Sequence, residues 1–201
     1  AIPMWTVFNP VFPDFAKVAD VAKGIEIKYG YDQKKAKETI DAEMKKLGAE
    51  LTGAKWTYKG APVSLIFLIR TEDERRGMGD YIAKQFEDIG FTVDRQYKTA
   101  GEASPLWNAG DPTDGKWHMY TGGWANTAIT RDMGGNFDSY YTARGSTSPL
   151  WQAYKPVPEF DTVSDKLNRG VYKDIAERTQ MMAQALQLSM KDSVRIFMVN
   201  R

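Results

Sequence analysis

The spacing of apolar positions changes along this chain, and each change marks an element. Residues 1–31 carry Pro3, Pro10, Pro13 and Gly24 among aromatic side chains without a sustained period. This predicts an irregular arm lying over something else. Asp32 then offers an N-cap oxygen to a helix with Ala36, Ile40, Met44 and Leu47 on one face, and Gly48 stands at its stop. Lys34, Lys35, Lys37, Lys45 and Lys46 fall off that stripe and predict a solvated face.

A turn at Lys59-Gly60 leads into VSLIFLIR, residues 63–70, an apolar run of strand length that predicts burial on both faces. TEDE, residues 71–74, has the form of a capping box. The helix it would open has Met78, Tyr81, Ile82, Phe86 and Ile89 at helical spacing and ends at Gly90. FTVDRQYK follows as a second strand, so the unit is strand, helix, strand, which favours parallel pairing. A short helix over 102–108 and the loop GDPTDGK precede a third strand at 117–123. Residues 124–169 read as loop-rich, with SPLW, KPVPEF and one helical turn at 136–141, a length of irregular chain that suggests a binding loop. Residues 171–191 predict a long amphipathic helix with Ile175, Met182, Ala185 and Leu188 inward, followed by a last strand, VRIFMVN.

Composition narrows the function more than the fold. The 27 Lys plus Arg against 26 Asp plus Glu leave a net charge of +1, so nucleic acid is not an expected partner. Cysteine is absent, which excludes disulfides, thiolate catalysis and Cys-based metal sites. The longest apolar run, residues 65–69, is far below the roughly 20 needed to span a bilayer. AIPMWTVFNP lacks the features of a signal peptide, an absence of little weight in an excised fragment. Aromatics make up 12%, and Trp107, Trp151 and Tyr154 fall in expected loops, in keeping with recognition.

Catalytic patterns are weak. His118 is the only histidine and lies inside an expected strand, so a metal site or a Ser-His-Asp triad has little to build on. RGMGDY sets Gly77 and Gly79 inside an amphipathic helix, where they read as local weakening and not as a phosphate loop. No cofactor is expected. Carboxylate pairs are easy to find among 26 Asp and Glu, and Asp132 and Asp138, six apart, are a candidate pair for a hydrolase. TGGWANTAITRD, residues 121–132, is more suggestive. Two glycines at a strand's carboxyl end let a ligand approach closely, and Trp124 offers a flat surface to cover an apolar or sugar-like group.

Several of these segments, in this order, resemble the C-terminal lobe of bacterial extracellular solute-binding proteins of family 5, the peptide-binding components of ABC importers. YGYDQKKAKETIDAEMKKLGA is similar to the family's Tyr-x-Asp-Pro helix, with Gln33 in place of Pro. KGAPVSLIFLIR, FEDIGFTVDRQ, WHMYTGGWAN and the closing helix with VRIFMVN resemble later segments, so the likeness spans residues 28–200. It implies one α/β lobe of a two-lobed periplasmic-binding-protein-like fold, with a mixed, mostly parallel sheet flanked by helices. Residues 1–31 would be an arm packed on the missing N-terminal lobe, and 32–201 the lobe itself.

The resemblance further implies a non-enzymatic receptor, periplasmic or extracellular, free or lipid-anchored, that carries a small-molecule or peptide ligand to a membrane permease. Ligand contacts would come from Gly123, Trp124, Ala125, Asn126, Thr127, Arg131 and Asp132. Trp124 falls on the family's pocket tryptophan. Three residues on, where peptide binders place an aspartate for the ligand's α-amino group, this chain has Thr127. A buried ammonium without a carboxylate is costly, so a free-amino peptide requires Asp132 as a substitute, and an oligosaccharide stands as the other ligand class.

Overall fold

The structure is a computed structural model that describes residues 2–124 and 132–200. In chain order the elements are β1 (Ile2–Pro3), α1 (Pro13–Lys17), α2 (Ala19–Tyr29), α3 (Gln33–Lys46), β2 (Glu50–Thr52), β3 (Lys55–Tyr58), β4 (Ala61–Pro62), β5 (Ser64–Arg70), α4 (Arg75–Asp88), β6 (Thr92–Lys98), α5 (Ala100–Trp107), β7 (Met119–Tyr120), α6 (Gly135–Tyr141), α7 (Pro149–Ala153), α8 (Pro158–Arg169), α9 (Ile175–Asp192) and β8 (Val199–Asn200). They form two compact units, Tyr31–Trp124, and Ala1–Gly30 with Ala125–Arg201.

The unit Tyr31–Trp124 is built on a parallel sheet of order β6-β5-β7. Phe67, Leu68 and Ile69 of β5 are all buried, as a central strand covered on both faces requires. Phe67 and Ile69 pack with Ala83 of α4, while Leu68 points to the opposite face. Helix α4 lies very close on this strand because residue 79 has no side chain. A Cβ there would stand 2.6 Å from Ile69 Cγ2, so Gly79 is a packing contact and not merely a weak point in the helix. A smaller antiparallel sheet, β2-β3-β4, turns at Lys59-Gly60 with both residues at positive φ. It centres on the fully buried Trp56, whose Nε1 donates to Ile89 O at 3.0 Å. Gly90, which ends the helix, has φ +104 and would place a Cβ 2.9 Å from Trp56 Cδ1, so no other residue fits.

Asp32 caps α3 as expected, accepting from the Lys35 N–H at 2.9 Å. The stripe behind it is only half used: Ile40 and Met44 pack toward Trp56, whereas Leu47 is exposed. TEDE does not form a capping box. Glu72 is drawn to Arg70 and the Ala100 N–H, Asp73 to Arg75, and α4 starts at Arg75 without a side-chain cap on Glu74. The reciprocal box belongs instead to α5, where Thr99 and Glu102 satisfy each other's main-chain N–H groups.

The other unit is mainly helical. Residues 13–29 form α1 and α2, where an irregular arm was expected. Val18, Ala22 and Ile25 share a core with Phe8, Phe137, Phe160, Met182 and Leu186, so burial rather than backbone period sets their structure. Residues 124–169 likewise hold α6, α7 and α8. Pro13, Pro149 and Pro158 all sit in the first turn of a helix, where a missing N–H costs nothing. Helix α9 begins at Ile175, capped by Asp174, and not at 171; Met182 and Ala185 are buried while Ile175 is exposed. Of VRIFMVN only Val199 and Asn200 form a strand, pairing antiparallel with Ile2 and Pro3.

Candidate functional site

Strand pairing delivers the chain to the carboxyl end of the parallel sheet under tight control. The His118 N–H donates to Ile66 O at 2.9 Å, and His118 Nδ1 accepts from the Ile66 N–H at 2.8 Å. The lone histidine is therefore part of the strand pairing. Pairing continues past β7, with the Thr121 N–H donating to Leu68 O and Thr121 Oγ1 accepting from the Arg70 N–H at 2.9 Å. At Gly122 the chain leaves the sheet. A Cβ on Gly122 would meet the Trp124 ring at 3.5 Å, so the indole lies back over the glycine, with 49% of the residue exposed. Below it Tyr120 stacks on Trp107, ring centroids 5.0 Å apart.

Two arginines at this end are held in ion pairs. Arg75 Nε donates to Asp73 Oδ1 at 2.8 Å and Nη2 to Asp73 Oδ2. Arg70 Nε donates to Glu72 Oε2 at 2.9 Å. That hydrogen bond, reinforced by the Ala100 N–H, holds the Glu72 carboxyl down at about 2. The hydrogen bond to Asp73 similarly raises the Arg75 guanidinium above its ordinary value. The remaining nitrogen of Arg75, Nη1, would stand 3.0 Å from a Cβ on Gly123. The strand exit is thus flanked by two neutralised arginine–carboxylate pairs, with one guanidinium edge laid against bare backbone.

The carboxylates proposed for hydrolysis do other work. Asp138 is buried; Oδ1 accepts from Arg144 Nη2 at 2.6 Å and Nε at 2.8 Å, and Oδ2 from Asn168 Nδ2 at 3.1 Å. Asp132 Oδ1 accepts from Arg178 Nη2 at 2.6 Å and from the Gly134 N–H at 2.8 Å. Arg178 is itself buried and reaches Asp14 with two hydrogen bonds, at 2.9 and 2.8 Å. Asp14 also accepts from the Met133 N–H at 2.8 Å. A carboxylate pair with one member locked under Arg144 and the other under Arg178 lacks the free acid and base that glycoside hydrolysis needs. Among the described residues, no group of three His, Asp or Glu is placed to hold a metal ion.

Of the expected contact residues, Gly123 and Trp124 come together at the sheet's carboxyl end. Ala125, Asn126, Thr127 and Arg131 lie outside the described residues. Asp132 belongs to the Arg178 and Asp14 network of the helical unit. Sequence reasoning missed Asp73, absorbed into an expected capping box, Arg75 just beyond it, and Asp14 and Arg178, which are 164 residues apart. No local pattern could have joined the last two.

No family model and no curated protein matches the chain in sequence. Solved structures match it in fold. A mannohexaose-bound periplasmic oligopeptide-binding protein of an ABC transporter from Thermotoga maritima is similar at TM-score 0.68 and 20% identity, over 98% of this chain and 36% of that one. An oligopeptide-binding protein from Thermus thermophilus complexed with a pentapeptide matches at TM-score 0.68 and 17% identity, over 98% and 33%. NikA from Brucella suis, in complex with Fe(III)-EDTA, matches at 0.63 and 14%, over 96% and 35%. The chain spans about a third of the length of these proteins. It has the mixed α/β fold of one lobe of a periplasmic-binding-protein-like structure.

Proposed function

We propose that this chain is one lobe of an extracellular solute receptor of an ABC importer, of the family 5 type that its sequence resembles. The observation that carries the reading is the half-exposed Trp124 lying over Gly122 at the carboxyl end of a parallel sheet, the place where ligands collect in open α/β sheets. The likeness in fold to proteins described with a hexasaccharide, a pentapeptide and a metal chelate supports a binding role. In this reading Gly123, Trp124, Ala125, Asn126, Thr127 and Arg131 line the ligand cleft, and a second lobe completes it. The receptor works in the periplasm or at the cell exterior, free or lipid-anchored, and hands its ligand to a membrane permease without chemical change.

The ligand is an oligosaccharide or a peptide-like chain. Asp132 already accepts from Arg178, and the position three residues beyond Trp124 is Thr127. Neither is a carboxylate waiting for an α-ammonium, which supports an oxygen-rich ligand over a free-amino peptide. A thermal-shift screen of oligosaccharides and peptides on the full-length protein, repeated with Trp124→Ala, tests the reading. Ligand-dependent stabilisation that Trp124→Ala abolishes is expected. A ligand whose effect is unchanged by that substitution overturns the assignment of the site.

A further inference from the structure

Arg75 is placed to do something that its ion pair does not explain. Two of its three nitrogens are committed to Asp73, and its Nη1 has no hydrogen-bond partner among the described residues. The side chain is largely buried, 17% exposed, and its partner Asp73 only 19%, so the fork is held and does not sample solvent as a surface arginine would. Its uncommitted edge lies against Gly123, where a Cβ would stand 3.0 Å from Nη1. A guanidinium fixed by a carboxylate behind, with its outer N–H groups beside the side-chain-free backbone that precedes Trp124, has the form of a preorganised donor.

We infer that Arg75 is a specificity-determining residue that donates from Nη1 to an uncharged oxygen, a hydroxyl or an amide carbonyl, of a ligand seated against Gly123 and Trp124. The inference rests on the proposed ligand site. Charge decides the class of acceptor. Asp73 balances Arg75, and Glu72 balances the neighbouring Arg70, so neither guanidinium offers an unpaired positive charge to a ligand carboxylate. A neutral oxygen gains the hydrogen bond without bringing an unpaired charge into a desolvated cleft. Sugar hydroxyls and peptide carbonyls share this chemistry.

Isothermal titration of the full-length protein with mannohexaose, stachyose, a free-amino pentapeptide and its N-acetylated form distinguishes the two sources and tests the assignment. Trp124→Ala, Arg75→Ala, Arg75→Lys and Gly123→Ala are compared, with circular dichroism to verify folding. Arg75→Ala is expected to weaken the bound probe about 10- to 100-fold, the range for a hydrogen bond from a charged donor. Arg75→Lys should restore little of this, because an ammonium cannot hold Asp73 and reach outward together. Gly123→Ala, which leaves the start of α4 untouched, should weaken the same probe by displacing Nη1. If Trp124→Ala weakens binding and the Arg75 and Gly123 variants do not, the inference fails and the site stands. If no probe binds, or Trp124→Ala changes nothing, the site reading fails and the inference with it.

Discussion

Asp14 offers a quantitative test of the helical unit. Its side chain is about as buried as a carboxylate can be, 1% exposed, and its oxygens accept from Arg178, the Met133 N–H and Lys17. Burial by itself would raise its pKa, but those hydrogen bonds outweigh it and hold the carboxyl at about 2, against an ordinary 3.8. With each pH unit of difference equivalent to about 1.4 kcal/mol, the group contributes about 2 kcal/mol to folding. The folded value lies below the unfolded one, so the contribution is complete above about pH 4 and is lost as the pH falls toward 2. Urea unfolding at pH 6, 4, 3 and 2 on the wild type and Asp14→Asn measures it by difference, since every other acidic group is common to both. The wild type should lose about 2 kcal/mol more than the variant between pH 4 and 2. Parallel pH dependences for the two proteins would refute the argument that this carboxylate is ionised and paired in the fold. Arg178→Met, which leaves Asp14 without its main partner, should cost about 3 to 5 kcal/mol at neutral pH.

Two further substitutions address the sheet unit. Gly79→Ala would set a methyl 2.6 Å from Ile69 Cγ2 and should destabilise by about 1 to 3 kcal/mol despite alanine's better helix propensity; Ile69→Val should relieve part of that cost in a double-mutant cycle by denaturant unfolding. Thr99→Ala removes the cap of α5 and should cost about 1 kcal/mol by the same assay, whereas Thr71→Ala, in the segment that only resembles a capping box, should cost less than half as much.

The sheet unit was legible because its elements are local. The strand over 63–70, the helix ending at Gly90 and the strand after it each follow from a period and a stop residue, and all three are present within a few residues of expectation. The helical unit was not, and the reason lies in three prolines. Pro13, Pro149 and Pro158 read as breaks, yet each opens a helix, and a single proline carries no mark of which side of it is helical. Phe160, Val163 and Leu167 of α8 do have helical spacing, a signal that the flanking KPVPEF obscured. At the site, Gly122, Gly123 and Trp124 stood out because a glycine pair before an aromatic is unusual in any strand. Arg75 did not, since its role depends on a strand exit 48 positions later in the chain. The TEDE segment failed as a capping box because α4 starts only at Arg75, so Glu74 and not Thr71 occupies the N-cap position, while Glu72 and Asp73 pair with Arg70 and Arg75.

The order in which the chain contributes to its two units also shapes how it reaches the native state. Residues 31–124 are contiguous, so during synthesis this unit has all its partners as soon as Trp124 has emerged. The other unit takes strands and helices from both ends, and its central ion pair joins Asp14 to Arg178 across 164 positions. Until α6, α8 and α9 are all made, the core that Phe8, Val18 and Ile25 enter is incomplete, and a carboxylate destined for burial waits in solvent. Closing so long a loop is slow, and for that interval the nascent chain carries a finished domain beside an exposed apolar segment, the species that chaperones and proteases would meet first.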